Sequence, residues 1–137
     1  MTTLLDTLNP KYALGVGMLD HDHREFCELV NQLHKADTVD FIRLFSALYA
    51  QTEAHFNEEK TLMLNTKFSG INEHLSEHAR FLSELKTMDL AVRRGAIIMG
   101  RQFATTIVPE WFLTHIATMD KALAAHAHLC NPAQKIS

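Results

Sequence analysis

Hydrophobic positions recur every three to four residues along four stretches of the chain, and that period predicts four amphipathic helices. In the first stretch the apolar stripe reads Leu19, His23, Phe26, Val30 and Leu33. The second runs through Phe41, Leu44, Phe45, Leu48, Thr52, His55, Glu59, Leu62 and Met63. The third carries Ile71, His74, Leu75, His78, Leu82, Leu85 and Val92, and the fourth Ala104, Ile107, Trp111, His115, Met119 and Leu123. Four such helices with short connections predict an all-α, up-down-up-down antiparallel four-helix bundle. Residues up to about position 18 are expected to form an N-terminal arm packed across it.

Capping signals set the expected boundaries. Asp20 is a plausible N-cap for the first helix, and Asp37 and Thr38 are candidate caps for the second. Lys67 to Gly70 separates the second from the third. Gly95, after Arg93 and Arg94, suits the C-terminal end of the third helix, where cationic residues complement the dipole. Pro109 admits two readings: it kinks a long fourth helix, or it sits in the first turn of a shorter one starting near Val108.

The stripes are not purely apolar. His23, His55, Glu59, His74, His78, His115 and Asp120 all fall on them, and such side chains are costly in a core unless something pairs them. A shared metal centre in the bundle core would pair all seven, and seven donors are too many for one ion. His55 and Glu59, like His74 and His78, are four apart and project from adjacent turns. Asp120 follows His115 by five residues, which at roughly 100° per residue points it about 140° away. Either the aspartate reaches around the helix, or the turn between them loosens towards an i to i+5 bond pattern.

At 137 residues and 15.6 kDa the chain is expected to be one domain over 1–137. A formal charge of −3 and a pI near 6.3 leave no basic footprint for nucleic acid. No apolar run is long enough to cross a bilayer, and MTTLLDTLNP lacks the features of a signal segment, so a cytoplasmic location without membrane insertion is expected. Cys27 and Cys130 are too few for a disulfide framework and are expected as thiols. Cys27, one turn beyond His23, reads best as a small buried hydrophobe.

Four segments, GVGMLDHDH (Gly15 to His23), HFNEEKTLM (His55 to Met63), EHLSEH (Glu73 to His78) and WFLTHIATMD (Trp111 to Asp120), resemble the hemerythrin family. Within it the likeness is strongest to the stand-alone bacterial form, the bacteriohemerythrins, and it extends from about Tyr12 to Leu123. The resemblance implies a bundle around a non-haem di-iron centre with an oxo or hydroxo bridge. His74, His78 and His115 would bind one iron and His23 and His55 the other, with Glu59 and Asp120 bridging the two. Five imidazole nitrogens, four carboxylate oxygens and the bridge counted twice make about eleven bonds, one short of two octahedra. The shortfall rests on the iron with two histidines, where O2 would bind reversibly. The implied activity is therefore oxygen binding for transport, storage or delivery, and not an enzyme's turnover.

Ferritin-like di-iron enzymes use a carboxylate-rich ligand set. Five neutral imidazoles with only two carboxylates favour the ferrous state instead. Trp111, Phe112 and Ile116 border the oxygen pocket in the family. Three departures stand out: Leu8 replaces an arm tryptophan, Asp22 a residue commonly Gln, and Phe112 a leucine. The larger Phe112 ring is expected to restrict access to the pocket or slow release.

Other roles fit the same centre: sensing O2, redox state or nitric oxide, handling iron or peroxide, or delivering oxygen to a protein partner. A reading from another class is a zinc metallopeptidase, since His74-Leu75-Ser76-Glu77-His78 fits H-x-x-E-H with Glu77 as general base. It leaves five polar stripe residues without a reason. His21, His34, His126 and His128 are expected at the surface or just behind the centre, with His126 and His128 a weak auxiliary metal pair at most.

Overall fold

The computed structural model describes residues 13–130. Three long helices come first: α1 (Gly17–Lys35), α2 (Thr38–Asn65) and α3 (Ile71–Arg93). A fourth rod is built in series from α4 (Ile97–Gln102), a π turn (Phe103–Ile107), α5 (Val108–His115), a second π turn (Ile116–Asp120) and α6 (Lys121–Cys130). The connections are short, so consecutive rods run antiparallel. α1 packs on α2, α2 on α3 and α3 on α4, and the first π turn closes the bundle against α1. Of the expected arm, residues 1–12, Leu8 included, lie outside the described residues, and its last two positions already belong to α1, which begins at Gly17. No helix among the described residues is long and apolar enough to cross a membrane.

Local chemistry explains the boundaries. Asp37 caps α2, its carboxylate accepting from Asp40 N at 2.9 Å. Asp20 does not cap α1, which starts after Val16. It lies within the first turn and accepts from Leu14 N at 2.8 Å and Gly15 N at 3.1 Å, tying down the approach to the helix. α3 ends as expected at Gly95, whose φ of 103° only glycine adopts freely. Gly95 N donates to Val92 O and Ala96 N to Ala91 O, the paired bonds of a Schellman end. α2 ends the same way on Lys67, with φ 54°.

Of the two readings of Pro109, the structure has the second, a place in the first turn of a helix that starts at Val108. That helix is α5, and the rod it belongs to continues unbroken from Ile97. Proline lacks an N–H and crowds the preceding turn, and the wider π turn just upstream accommodates both defects. That turn also shifts the helical register. Ile107, expected inside, is 45% exposed, and Val108 takes the buried position. On α3 the same correction applies to Leu82, which is half-buried beside the fully buried Phe81.

The core is in two parts. A large apolar cluster runs from Phe26 to Leu33 on α1 through Phe41, Phe45 and Leu48 on α2 to Phe81, Leu85, Val92 and Val108. A smaller one joins Val16, Leu19, Met63, Leu123, Ala124 and Ala127 at the other end. Cys27 belongs to the larger cluster, as a small buried side chain. Between the two lies a band of buried polar groups: His23, Thr52, His55, Glu59, His74, His78, His115 and Asp120.

Candidate metal centre

The residues of this band come from all four rods. α2 contributes His55 and Glu59, and α3 contributes His74 and His78, one turn apart in each case. α1 contributes His23. α5 ends on His115, and the π turn that follows ends on Asp120. An i to i+5 turn brings residues five apart onto one face, so the turn at Ile116–Asp120 resolves the awkward spacing. Asp120 Oδ1 lies 3.0 Å from His115 Nε2.

Glu59, His74, His78, His115 and Asp120, all buried, each offer one ligand atom within 4.8 Å of the others. His74 Nε2 stands 3.1 Å from Glu59 Oε1 and 3.2 Å from Asp120 Oδ1. His78 Nε2 stands 3.2 Å from the same Glu59 oxygen. His23 joins from the other side, its Nε2 donating to Asp120 Oδ2 at 2.9 Å. Asp120 is thus shared between His23 on one oxygen and His74 and His115 on the other. His55 is placed differently. It lines the same cavity, but its Nε2 faces Glu25 Oε1 at 3.0 Å and Asp22 Oδ1 at 3.5 Å.

These contacts test whether a cation suits the site. His78 Nε2 and His115 Nε2 face each other at 3.1 Å, an arrangement in which two lone pairs cannot both be satisfied by protons already engaged with carboxylates. Asp120 Oδ1 is buried with no hydrogen bond of good geometry, although two imidazoles flank it. Imidazole nitrogens and carboxylates suit first-row transition metals, and a cation at their focus would answer all of these atoms together. The donor set therefore fits a metal.

Without one, protons take its place. Burial lowers the affinity of His74 for a proton, but hydrogen bonds and charge from Asp120 and Glu59 outweigh it and hold the group up at about 9. Burial opposes the Asp120 charge as well, yet the close imidazoles of His115, His23 and His74 hold its carboxyl well below the usual range. His78 is pushed down, by burial first, and the nearby His74 and His115 add to that.

Aromatic rings wall the site. Trp111 stacks on His115 at 4.4 Å and on Phe81 at 3.8 Å, and Phe56 stacks on His78 at 3.6 Å. Phe112 lies edge-on to His23 at 5.5 Å and stacks on Phe26 at 4.3 Å. Between them is a cavity of about 20 Å³, lined by His23, His55, Glu59, Trp111, Phe112 and Asp120 among others. A water needs roughly 10–15 Å³ by this kind of measure, so one diatomic molecule is about the largest guest without movement of the walls. Ile116, expected at the pocket, is instead buried in the larger apolar cluster and is not among the residues lining this cavity.

Glu77 sits on the far side of His115, 3.9 Å from Nδ1, and not on the Nε2 side where a metal-bound water would be. That placement does not suit a general base. His126 and His128 do not form a metal pair: their Nε2 atoms contact Thr66 O at 2.7 Å and Leu14 O at 3.1 Å, on two different segments. Sequence reasoning passed over Asp22 and Glu25 as site residues. Asp22 is buried, and burial first, then a hydrogen bond with Glu58 and the charges of Glu58, Glu59 and Glu25, push its carboxyl up to about 8. The i, i+4 pair His21 and Glu25 on α1, flanking the Asp22–His23 step, was the signal that could have drawn notice.

Residues 14–127 match the hemerythrin HHE cation binding domain. A protein named bacteriohemerythrin from Ralstonia nicotianae is 33% identical over 110 residues, 80% of each chain. A bacteriohemerythrin from Methylococcus capsulatus is 24% identical over 115 residues, covering 81% of this chain and 87% of its own. The myohemerythrin of Riftia pachyptila is 23% identical over 114 residues, 80% of this chain and 82% of its own. No solved structure matches the chain significantly. With a donor cluster of the right chemistry at the centre of the bundle and a family match across nearly its whole length, this chain belongs to the hemerythrin family.

Proposed function

We propose that this protein is a non-haem di-iron protein that binds O2 reversibly, for carriage, storage or delivery. The observation that carries the reading is the buried focus of Glu59, His74, His78, His115 and Asp120, with His23 one hydrogen bond away on Asp120. In this reading His74, His78 and His115 hold one iron, His23 and His55 hold the other, and Glu59 and Asp120 bridge them. When bound, a pair of ferrous ions supplies the two electrons and the open position that O2 needs.

The protein supplies the rest. Asp120 is fixed from three sides by histidines, so its two oxygens keep their orientation while the charge at the centre changes. Glu59 is held through one oxygen, Oε1, between His74 and His78. Trp111, Phe112, Phe26 and Phe56 keep bulk water out, and no lysine or arginine lines the cavity. An aromatic wall with no cationic side chain disfavours loss of charged oxygen species, which is the step that would spoil a carrier. The five imidazoles, being neutral, favour the reduced state over the carboxylate-rich alternative of di-iron enzymes.

The test is reversibility. The anaerobically reconstituted ferrous protein should gain a visible absorption band on exposure to O2 and lose it under argon, over repeated cycles. A single irreversible oxidation, with no return under argon, would refute oxygen carriage.

A further inference from the structure

A second set of metal-compatible side chains lies outside the central cluster and is touched by none of the roles assigned so far, His55 excepted. His21, Asp22 and Glu25 on α1 each offer one ligand atom within 4.8 Å of one another. Glu25 Oε1 is bracketed by two imidazole nitrogens, His21 Nε2 at 3.3 Å and His55 Nε2 at 3.0 Å from α2. Asp22 Oδ1 approaches His55 Nε2 at 3.5 Å. Asp22 is only 3% exposed, and its Oδ2 is buried with no hydrogen-bond partner. A simple surface ion pair between His21 and Glu25 explains neither that buried oxygen nor the turn of His55 towards α1.

The set spans the wall of the protein. The side chains of His21 and Glu25 are 61% and 43% exposed, whereas those of Asp22 and His55 are nearly closed off. Asp22 and His55 also line the central cavity, together with Glu59 and Asp120. A continuous line of donors therefore leads from solvent, through His21 and Glu25, past Asp22 and His55, to the buried cluster. The aromatic rings offer an ion no such path, because crossing them would strip its hydration with nothing in exchange.

We propose that His21, Asp22, Glu25 and His55 form a solvent-facing divalent-cation site that loads the central cluster. Two imidazole nitrogens and two carboxylates suit Fe2+ and Zn2+ alike. The ion exchanges part of its water for His21 and Glu25, then gains Asp22 and His55. His55 is the shared donor: its ring faces the outer set in this structure, and rotation towards the cavity hands the ion inward. The loading role rests on the di-iron reading, and the outer site itself does not.

The test separates the two. Metal-free full-length protein is mixed anaerobically with Fe2+, and uptake is followed in time by competition with a coloured ferrous chelator. The double variant His21→Ala, Glu25→Gln alters side chains on the outer wall, so the fold is retained. It should load roughly fivefold more slowly or worse, yet reach the wild-type iron content. Equal rates would overturn the proposal, as would a lower final content reached at the wild-type rate. A second arm titrates Zn2+ into Glu59→Gln, which keeps His74, His78, His115 and Asp120 as a second zinc position, and counts the ions bound before and after His21→Ala and Glu25→Gln are added. The added substitutions should lower the count by one. An unchanged count would overturn the outer site even if the wild-type protein takes up no iron.

Discussion

The two sides of the buried cluster are built to different standards. On one side His74, His78 and His115 already converge with Glu59 and Asp120, their ligand atoms within 4.8 Å of one another and all five at most 3% exposed. On the other, His23 reaches the cluster only through Asp120, and His55 is held by Glu25 and Asp22. The first side rests on adjacent turns of α3 and on the π turn after α5, so backbone geometry aims its donors. The second takes one residue each from α1 and α2, next to a small cavity. Rigidity on one side and room on the other are what a binding centre needs: one metal position fixed, and a neighbour that can accept a guest.

The largest effect should come from breaking the rigid side. His74→Ala or His115→Ala should remove most of the iron and lower thermal stability, since each buried polar group left unpaired costs ~1–3 kcal/mol. Metal analysis and thermal melts check this, with His34→Ala, an exposed position, as the control. An equal loss in the control would mean the buried faces are misassigned. His55→Ala should be milder, sparing the three-histidine position and losing mainly the second ion.

Asp120→Asn comes next, because Asp120 is the residue common to both sides. Iron content and the oxygen-dependent spectrum should both fall substantially. Their survival unchanged would leave Glu59 as the sole bridge and the asymmetry without its hinge.

Protons should expose the difference between the metal-free and loaded states. The folded value of about 9 for His74 lies above its ordinary 6.5, so its contribution is complete below pH 6.5 and is lost as pH rises through 9. Asp22, at about 8 against an ordinary 3.8, loses its contribution over the rise to pH 8. The metal-free protein should therefore melt lower at pH 9 than at pH 6.5, by on the order of 5 °C. Asp22→Asn should flatten the part of that slope below pH 8, and the loaded protein should lack the part due to His74. Melting curves across this range, with and without metal, decide it, and a metal-free melting temperature that rises with pH would reverse the assignment.

The smallest effect belongs to the cavity wall. Phe112, stacked on Phe26 and edge-on to His23, narrows the open side. Phe112→Leu should speed oxygen release a few-fold in stopped-flow measurements while leaving iron content unchanged. Unchanged release would make the ring a packing residue alone.

Much of this could be read from the chain because buried polar residues at helical spacing are conspicuous against an apolar stripe. His74 and His78 needed only the four-residue period. Asp120 needed more: its misfit with a straight helix left two readings, a reach around the helix or a loosened turn, and the structure has the loosened turn. The first π turn was not legible, since Pro109 alone is compatible with a kink or with a helix start, and the resulting register shift moved Ile107 out and Val108 in. Asp22 and Glu25 were hidden for another reason. They flank a candidate ligand on a helix whose charged residues mostly face solvent, and only the approach of His55 from α2 shows that one of them is buried.

The most direct measurement is iron stoichiometry with the near-ultraviolet spectrum of protein reconstituted anaerobically and then oxidised in air. The proposed di-iron centre predicts two iron atoms per chain and the absorption of an oxo-bridged ferric pair. One zinc per chain, with no iron taken up under anaerobic reconstitution, would contradict a di-iron centre.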